Sequence, residues 1–225
     1  MPHSSPNQAR AALLAGLRDT VPLLVGSLPF GLIFGALAVT SGFSALGAAA
    51  MSAMVFAGAA QFISVGLVAA GTPAAVIILA VFVINLRHML YAATLAPHLK
   101  NLPTRWLLPL GFWLTDESFV VAAKHFEENQ DNPNQRWYLL GSEIGMYTNW
   151  QVATWVGILA GQQIKDPQSW GLDFAMVVTF IGMLVPMVMV KDRPTLAAAL
   201  AAGGAALLAN GLPHQLGLLL AALAG

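Results

Sequence analysis

Arg87 is the charged residue with the most unusual setting in this sequence. It is the only Asp, Glu, Lys or Arg between Asp19 and Lys100, and it lies in the predominantly apolar run 81–91. Moving a guanidinium to the centre of a bilayer costs about 2.5–3.5 kcal/mol on insertion scales, so an arginine at that depth indicates a functional site. Its chemistry would be the binding of a carboxylate, which belongs either to a substrate or to another side chain of the protein.

Asp116 and Glu117 are the carboxylates that suit Arg87 as partners. They lie near the middle of another apolar segment, and they face different directions because successive helical positions diverge by about 100°. We expect one to face a cavity and the other to pair with a base or a helix end. A carboxylate in a low dielectric binds a proton more readily than one in water, so these residues are predicted to carry a coupling proton. The alternative is an architectural ion pair with Arg87, whose disruption costs about 3–5 kcal/mol when it is buried.

Four amide side chains also fall inside apolar segments and are predicted to bind substrate. They are Gln61, Asn85, Asn149 and Asn210. An amide in a membrane helix also joins helices through hydrogen bonds worth about 0.6–2 kcal/mol, so both roles stay open. His88 follows Arg87 and points about 100° away from it on a helix. Hydrogen-bonded packing is the favoured interpretation for His88, and a proton relay is the alternative.

The composition indicates an all-α polytopic membrane protein. Of the 225 residues 57% are apolar and 9% are charged, which leaves too little polar surface to coat a soluble globule. The net charge is zero and the basic residues are scattered, which argues against a nucleic-acid partner. Cysteine is absent, the histidines lack metal-ligand spacing, and no hydrolase or nucleotide-binding motif occurs. We therefore expect no enzyme activity, no catalytic residue, no metal and no cofactor.

Turn signals divide the chain into segments near the length of about 20 apolar residues that a transmembrane helix needs. The predicted helices, about seven in number, cover residues 18–40, 46–70, 73–97, 105–126, 136–162, 168–190 and 195–224. They form a single transmembrane domain, residues 18–225, after a polar N-terminal tail, residues 1–17. If all seven helices span the membrane, more Lys and Arg residues lie on the side that holds the N-terminus than on the opposite side. This distribution predicts a cytoplasmic N-terminus.

The sequence also indicates an internal repeat. Gly35-Ala-Leu-Ala resembles Gly157-Ile-Leu-Ala at an offset of 122 residues. The halves would be two three-helix repeats, residues 18–97 and 136–224, joined by a linking helix, residues 105–126. The repeats are parallel in the membrane if the linking helix spans it, and inverted if it does not. Internal repeats of this kind are typical of secondary transporters.

Two of the predicted helices are expected to break halfway across the bilayer, near Asn85 and near Asn210. The second break would lie at Asn210-Gly211, just before Pro213, which removes a backbone donor and crowds the preceding turn. Broken helices offer free amides and carbonyls to a ligand, and corresponding breaks in two repeats indicate a transport site. An ordinary kink is the alternative at Pro213.

Four phrases occur in this order along the chain: Leu28-Pro-Phe-Gly31, Phe56-Ala-Gly-Ala-Ala-Gln-Phe62, Asn85-Leu-Arg-His88 and Leu114-Thr-Asp-Glu117. With them the sequence resembles the AzlC family of branched-chain amino-acid permeases from about Leu17 to Gly225. The resemblance implies the large subunit of a two-component system in the bacterial cytoplasmic membrane, with a small AzlD-like membrane protein as partner. Such systems usually export leucine, isoleucine or valine, and in some members methionine.

The polar residues fit a zwitterionic aliphatic amino acid. Its carboxylate needs an anchor, which Arg87 or the amide end of a half-helix supplies. Its ammonium needs an acceptor, which Asp116 or the carbonyls of a broken helix supply, and its side chain needs an apolar slot. The leading hypothesis is a secondary transporter that exports branched-chain amino acids. The alternatives are a channel for small polar solutes and a scaffold subunit of a transport complex.

Overall fold

A computed structural model describes residues 5–130, 132–164 and 193–209, together with residues 181, 217 and 220. All regular structure in this part of the chain is helical, which confirms the predicted all-α class. Its nine helices are α1 Pro6–Thr40, α2 Ala45–Val55, α3 Gly58–Ala69, α4 Ala74–Asn85, α5 Arg87–Leu99, α6 Thr104–Trp113, α7 Asp116–Glu128, α8 Gln135–Gly161 and α9 Arg193–Leu208. The predicted helix 168–190, apart from residue 181, and the predicted break near Asn210 lie outside the described residues.

Two stretches within the described residues are long and apolar enough to cross a membrane. They are α1 and the stretch Ala74–Leu99, which comprises α4 and α5. The helices α2 and α3 and residues 196–208 of α9 are apolar but shorter. The count of seven spanning helices and the arrangement in two repeats stay predictions.

Helix α1 begins at Pro6, well before the predicted start at residue 18. The N–H of Ser5 donates to Gln8 Oε1 at 3.1 Å, and the N–H of Gln8 donates to Ser5 Oγ at 3.4 Å. This is a capping box, and Pro6 occupies the first helical position, where its missing N–H is no loss. The prediction followed hydrophobicity, so it assigned these polar first turns to a tail.

The predicted helix 46–70 is interrupted in the structure. Phe56 adopts left-handed dihedrals, φ 39° and ψ 46°, and Ala57 is extended, so α2 ends at Val55 and α3 begins at Gly58. A left-handed conformation strains a residue that carries a side chain by about 1–2 kcal/mol. Hydrophobicity predicted one continuous helix because the residues on both sides of the break are apolar.

A second interruption divides the predicted linking helix, residues 105–126, into α6 and α7. Leu114 and Thr115 are extended, and the N–H of Thr115 donates to Ser118 Oγ at 2.9 Å. The Thr115 side chain in turn accepts from the N–H of Ser118, so these two residues cap the start of α7.

The interruption near Asn85 is smaller than these two. Leu86, between α4 and α5, keeps right-handed helical dihedrals, and its N–H donates to the carbonyl of Val83 at 3.2 Å. The helix therefore contains one tighter turn at Leu86, with a hydrogen bond to the third residue before it, and it does not unwind there.

The described residues fall into two compact units. Unit 1 is drawn from Met1–Gly31 and Arg87–Ala153, and unit 2 from Leu32–Leu86 and Thr154–Gly225. The core of unit 1 joins α5, α6, α7 and α8 through buried residues that include Leu95, Leu110, Phe126 and Leu139. In unit 2, Leu67 of α3 and Ala80 of α4 are buried together.

In unit 1, α1 and α8 pack side by side. The hydroxyl oxygens of Thr20 and Ser142 lie 2.7 Å apart, and Asn149 Nδ2 donates to Ser27 Oγ at 3.0 Å. Both pairs are separated by 122 residues in sequence. The later contact on α1, at Ser27, is also the later contact on α8, at Asn149. The two helices therefore run in the same direction.

The same two helices pack closely in unit 2 through glycines. A Cβ at Gly35 would overlap the carbonyl oxygen of Thr154, and a Cβ at Gly157 would overlap the carbonyl oxygen of Leu32. Each glycine therefore lets the other backbone approach closely. The two contacts are reciprocal, because Leu32 and Thr154 are separated by the same 122 residues as Gly35 and Gly157.

Candidate functional site

Arg87 and Asp116 form an ion pair in unit 1. Arg87 Nη1 lies 2.8 Å from Asp116 Oδ2, and the two side chains are 31% and 38% exposed. Arg87 is the first residue of α5, and Asp116 is the first residue of α7, where the positive end of the helix dipole stabilises a carboxylate. The structure therefore brings together the two residues that the sequence offered as partners.

Aromatic rings lie one turn beyond each member of this pair. Tyr91 follows Arg87 by four positions on α5, and Phe119 follows Asp116 by three on α7, so each ring lies on the same helical face as its charge. The two rings stack with centroids 4.4 Å apart and an angle of 16° between their planes. The rings of His88 and Tyr91 pack edge to face with their centroids 5.5 Å apart. The ion pair is thus bordered by an aromatic wall.

An apolar cavity of about 270 Å³ lies in unit 1 between α5, α6 and α8. Its lining includes Leu95, Leu110, Leu114 and Leu139. Leu114 is two residues from Asp116, so the segment that carries the carboxylate also contributes to the cavity. Aliphatic walls of this kind suit an aliphatic side chain.

Glu117 and Asn149 are the other predicted site residues in unit 1. Glu117 is half-buried on the first turn of α7 and makes no ion pair with any described residue. Asn149 Nδ2 donates to the carbonyl oxygen of Leu24 and to Ser27 Oγ, each at 3.0 Å. The Asn149 amide nitrogen therefore joins α8 to α1, the interhelical role that the sequence left open for such amides.

Gln61 lies in unit 2, in the first turn after the break between α2 and α3. Its side chain is completely buried, and neither Nε2 nor Oε1 has a hydrogen-bond partner among the described residues. A buried polar group without a partner costs about 1–3 kcal/mol. Asn85, the other predicted site residue in unit 2, is half-buried at the end of α4. Asn210 lies outside the described residues.

Free backbone donors surround the start of α3. The N–H groups of Gly58, Ala59 and Ala60 have no acceptor within a helix that begins at Gly58, and none bonds to another described residue. The N–H of Gln61 is the first to bond, to the carbonyl of Ala57 at 2.9 Å. Helical side chains lean toward the N-terminus, so the Gln61 amide leans toward these donors. Together they form an anion-binding arrangement.

The interior of unit 2 also contains a contact between two hydroxyl groups and a pair of aromatic rings. Ser52 Oγ of α2 and Thr154 Oγ1 of α8 lie 3.0 Å apart, and both residues are completely buried. Phe62, beside Gln61, packs edge to face on Phe34 with ring centroids 6.0 Å apart. The sequence interpretation missed Ser52 and Thr154, because hydroxyl side chains bond within their own helix too often to be distinctive in a sequence.

Glu143 is a further buried residue that the sequence interpretation missed. It is a lone carboxylate within the apolar part of α8, completely buried, and neither carboxylate oxygen has a hydrogen-bond partner in the described part of the chain. The sequence does indicate Glu143, because, like Arg87, it is a charged residue within an apolar run.

Comparison with known proteins identifies relatives over most of the chain. A family model described as AzlC protein matches residues 22–164. An uncharacterised membrane protein of Archaeoglobus fulgidus is 36% identical over 93% of this chain and 90% of its own length. The branched-chain amino acid transport protein AzlC of Bacillus subtilis is 27% identical over 83% of this chain and 72% of its own length.

The inner membrane protein YgaZ of Escherichia coli is 28% identical over 71% of this chain and 65% of its own length. No solved structure matches the chain. Two of these three relatives are membrane proteins by name, and the third is named for branched-chain amino acid transport.

Proposed function

The chain belongs to the AzlC family of membrane proteins, and from this premise we propose that it is a secondary transporter that exports branched-chain amino acids. The proposal places it in the bacterial cytoplasmic membrane with a cytoplasmic N-terminus and a small AzlD-like membrane protein as partner. Leucine, isoleucine and valine are the proposed substrates, with methionine as a further one. A transport role makes it a carrier and not an enzyme.

The break between α2 and α3 is the observation that carries this proposal. Irregular backbone at membrane depth is tolerated only where it is buried in protein or lines a cavity. Here the break leaves three backbone donors and the buried Gln61 amide without protein partners among the described residues. An amino-acid carboxylate would accept hydrogen bonds from the backbone donors and from Gln61 Nε2, as carboxylates do at the half-helix N-termini of other transporters.

The other end of the same break suits the ammonium of the substrate. The carbonyl end of a helix carries the negative end of its dipole. Helix α2 ends at Val55, two residues before Ala57, so its carbonyl end and the amide end of α3 are close in sequence. One broken helix therefore offers complementary partners for both charges of a zwitterion.

The Arg87–Asp116 pair supports transport in a different way. A zwitterion carries the same two charges as this pair, so it can compete for both partners. Each side chain is about one-third exposed, so neither partner is locked away from a competitor. We propose that the ion pair dissociates during transport and that Glu117 or His88 assists proton transfer there. The aromatic wall and the apolar cavity would accommodate aliphatic side chains.

A cellular assay tests this function. Cells that lack their own exporters are loaded with a leucine-containing dipeptide, and release of free leucine is followed with this chain alone, the small partner alone, and both. We expect internal leucine to accumulate in the first two strains and to be released when both proteins are present. Release by the partner alone would instead assign this chain a scaffold role, and equal accumulation in all strains would contradict export.

A further inference from the structure

Glu143 is a carboxylate of α8 that the proposed substrate contacts do not use. It lies on α8 in unit 1, and its side chain is completely buried. Leu139 and Met146, about one turn away on either side, are exposed by only 1% and 2%. Neither oxygen of Glu143 has a hydrogen-bond partner in the described part of the chain. Two neighbours on its own helix face are therefore apolar and buried, and another, Tyr147, is half-buried.

The charged groups on the neighbouring helices of unit 1 do not pair with the carboxyl group of Glu143. Helices α1, α5, α6 and α7 pack against α8, and their partly buried titratable side chains are Arg87, His88, Tyr91, His98, Asp116, Glu117 and His125. Arg87 binds Asp116, and the exposed Asp19 of α1 accepts a hydrogen bond from the Tyr138 hydroxyl at 2.8 Å. None of these groups bonds to Glu143.

The energetic consequence concerns the proton of Glu143. An ionised carboxylate that is buried without a partner costs several kcal/mol, whereas an uncharged group with the same unmet hydrogen bonds costs about 1–3 kcal/mol. The conformation described here is therefore that of the neutral carboxylic acid. A conformational change that admits water to Glu143 removes this penalty and lets the acid ionise.

We infer that Glu143 is the proton-carrying residue that couples the proposed transport to the proton gradient. This inference rests on the proposed function. In the hydrated conformation the O–H bond of the acid breaks, its electron pair stays on the carboxylate, and the proton passes to water. Reprotonation from the opposite side returns Glu143 to the dry conformation. Export then exchanges one amino acid for protons that enter the cell.

The test separates exchange from coupling. The full chain and its small partner are reconstituted in lipid vesicles, and radiolabelled leucine is the probe. Leucine–leucine exchange is measured without a pH gradient, and leucine accumulation is measured with the vesicle interior acidic. The variant is Glu143→Gln, whose amide mimics the neutral acid and cannot release a proton. The control is Glu127→Gln, at an exposed position of α7.

We expect the wild type and Glu127→Gln to show both activities. Glu143→Gln should retain exchange and lose accumulation driven by the pH gradient. A variant that accumulates leucine like the wild type, or one that folds but loses exchange as well, would overturn the inference. A wild type that exchanges leucine without any response to the gradient would overturn it too.

Absence of leucine exchange in the wild type would instead refute the proposed function itself. If Glu143→Gln does not fold, Glu143→Asp keeps a titratable group at the same site. Its gradient-driven accumulation should persist with a shifted dependence on pH, because the shorter side chain places the carboxyl group in a different environment. An unshifted dependence in folded Glu143→Asp would contradict a proton-carrying role.

Discussion

At the scale of single residues, the buried Gln61 and the half-buried Asn149, which lie in different units, differ in what they already bind. Asn149 donates to Leu24 and Ser27, whereas Gln61 has no partner among the described residues. A folded protein retains an unsatisfied buried group at a cost of about 1–3 kcal/mol, which is reasonable when a ligand supplies the missing partner. This difference makes Gln61 the sharper test of substrate binding.

Replacing Gln61 by leucine separates binding from stability. We expect Gln61→Leu to raise the thermal midpoint of the purified protein, since an apolar side chain of similar size removes about 1–3 kcal/mol of unmet hydrogen bonding. Leucine transport should be lost at the same time. Gln163→Leu, at an exposed position, is the matched control and should leave transport unchanged. Normal transport by Gln61→Leu would show that this amide does not bind substrate.

The Arg87–Asp116 pair is tested with a double-mutant cycle. Arg87→Gln or Asp116→Asn alone leaves an uncompensated charge, and we expect each to lower the free energy of unfolding by about 1–3 kcal/mol, less than for a fully buried pair because both side chains are partly exposed. The double variant should recover stability but not transport. Recovery of both stability and transport would identify the pair as architectural.

The residue types of the candidate site could be predicted from the sequence, but their contacts could not. Arg87 stood out because a charge in an apolar run is costly, and Asp116 was one of two adjacent candidates for its partner. The choice of Asp116 over Glu117 depends on the break at Leu114 and Thr115, which starts α7 at Asp116 and orients its first turn. Hydrophobicity does not contain that information.

At the scale of elements, the interruptions in the helices are where sequence and structure differ most. Helix α8, Gln135–Gly161, agrees with the predicted 136–162 because no break occurs along it. The break at Phe56 was not predicted, since a left-handed phenylalanine is imposed by tertiary packing and not by local preference. Phe56 is 4% exposed, so burial of its ring helps to offset the strain of its backbone.

The close approach of α1 and α8 gives an element-scale prediction. In Gly35→Ala the new Cβ would overlap the backbone carbonyl of Thr154, which cannot move as a side chain does. We expect a loss of about 1–3 kcal/mol in the free energy of unfolding. Gly26 lies on the same helix, and a Cβ there would have nothing within 4 Å. The Gly26→Ala substitution should therefore leave the free energy of unfolding unchanged or raise it. Equal thermal midpoints for the two variants would contradict the close packing.

At the scale of the whole molecule, the parallel direction of α1 and α8 bears on the repeat. The contacts Thr20–Ser142 and Ser27–Asn149 in unit 1 have an offset of 122 residues. The two glycine contacts in unit 2 have offsets of 119 and 125 residues, which are symmetric about 122. This is the offset at which Gly35-Ala-Leu-Ala matches Gly157-Ile-Leu-Ala. If these helices are equivalent members of two repeats, their common direction favours parallel repeats over inverted ones. We therefore propose the parallel arrangement, in which the linking segment, α6 and α7, spans the membrane.

Labelling of single cysteines tests the parallel arrangement, because the natural chain contains no cysteine. Ser5→Cys precedes α1 and Asn132→Cys precedes α8, so parallel helices place both on one side of the membrane. An impermeant thiol reagent should label both in inverted vesicles and neither in intact cells. Lys100→Cys, which follows α5, should show the reverse pattern. Labelling of Ser5→Cys and Asn132→Cys from opposite sides would exclude parallel repeats.

Above all, the proposed function requires that the molecule carries branched-chain amino acids against their gradient. The most direct measurement is the uptake of radiolabelled leucine by vesicles that contain the purified chain and its small partner, over a range of leucine concentrations, with an acidic interior and then with a protonophore. We predict saturable uptake that exceeds the external concentration and collapses with the protonophore. Uptake that is strictly downhill and does not saturate would indicate a channel, and no uptake beyond that of protein-free vesicles would contradict the claim.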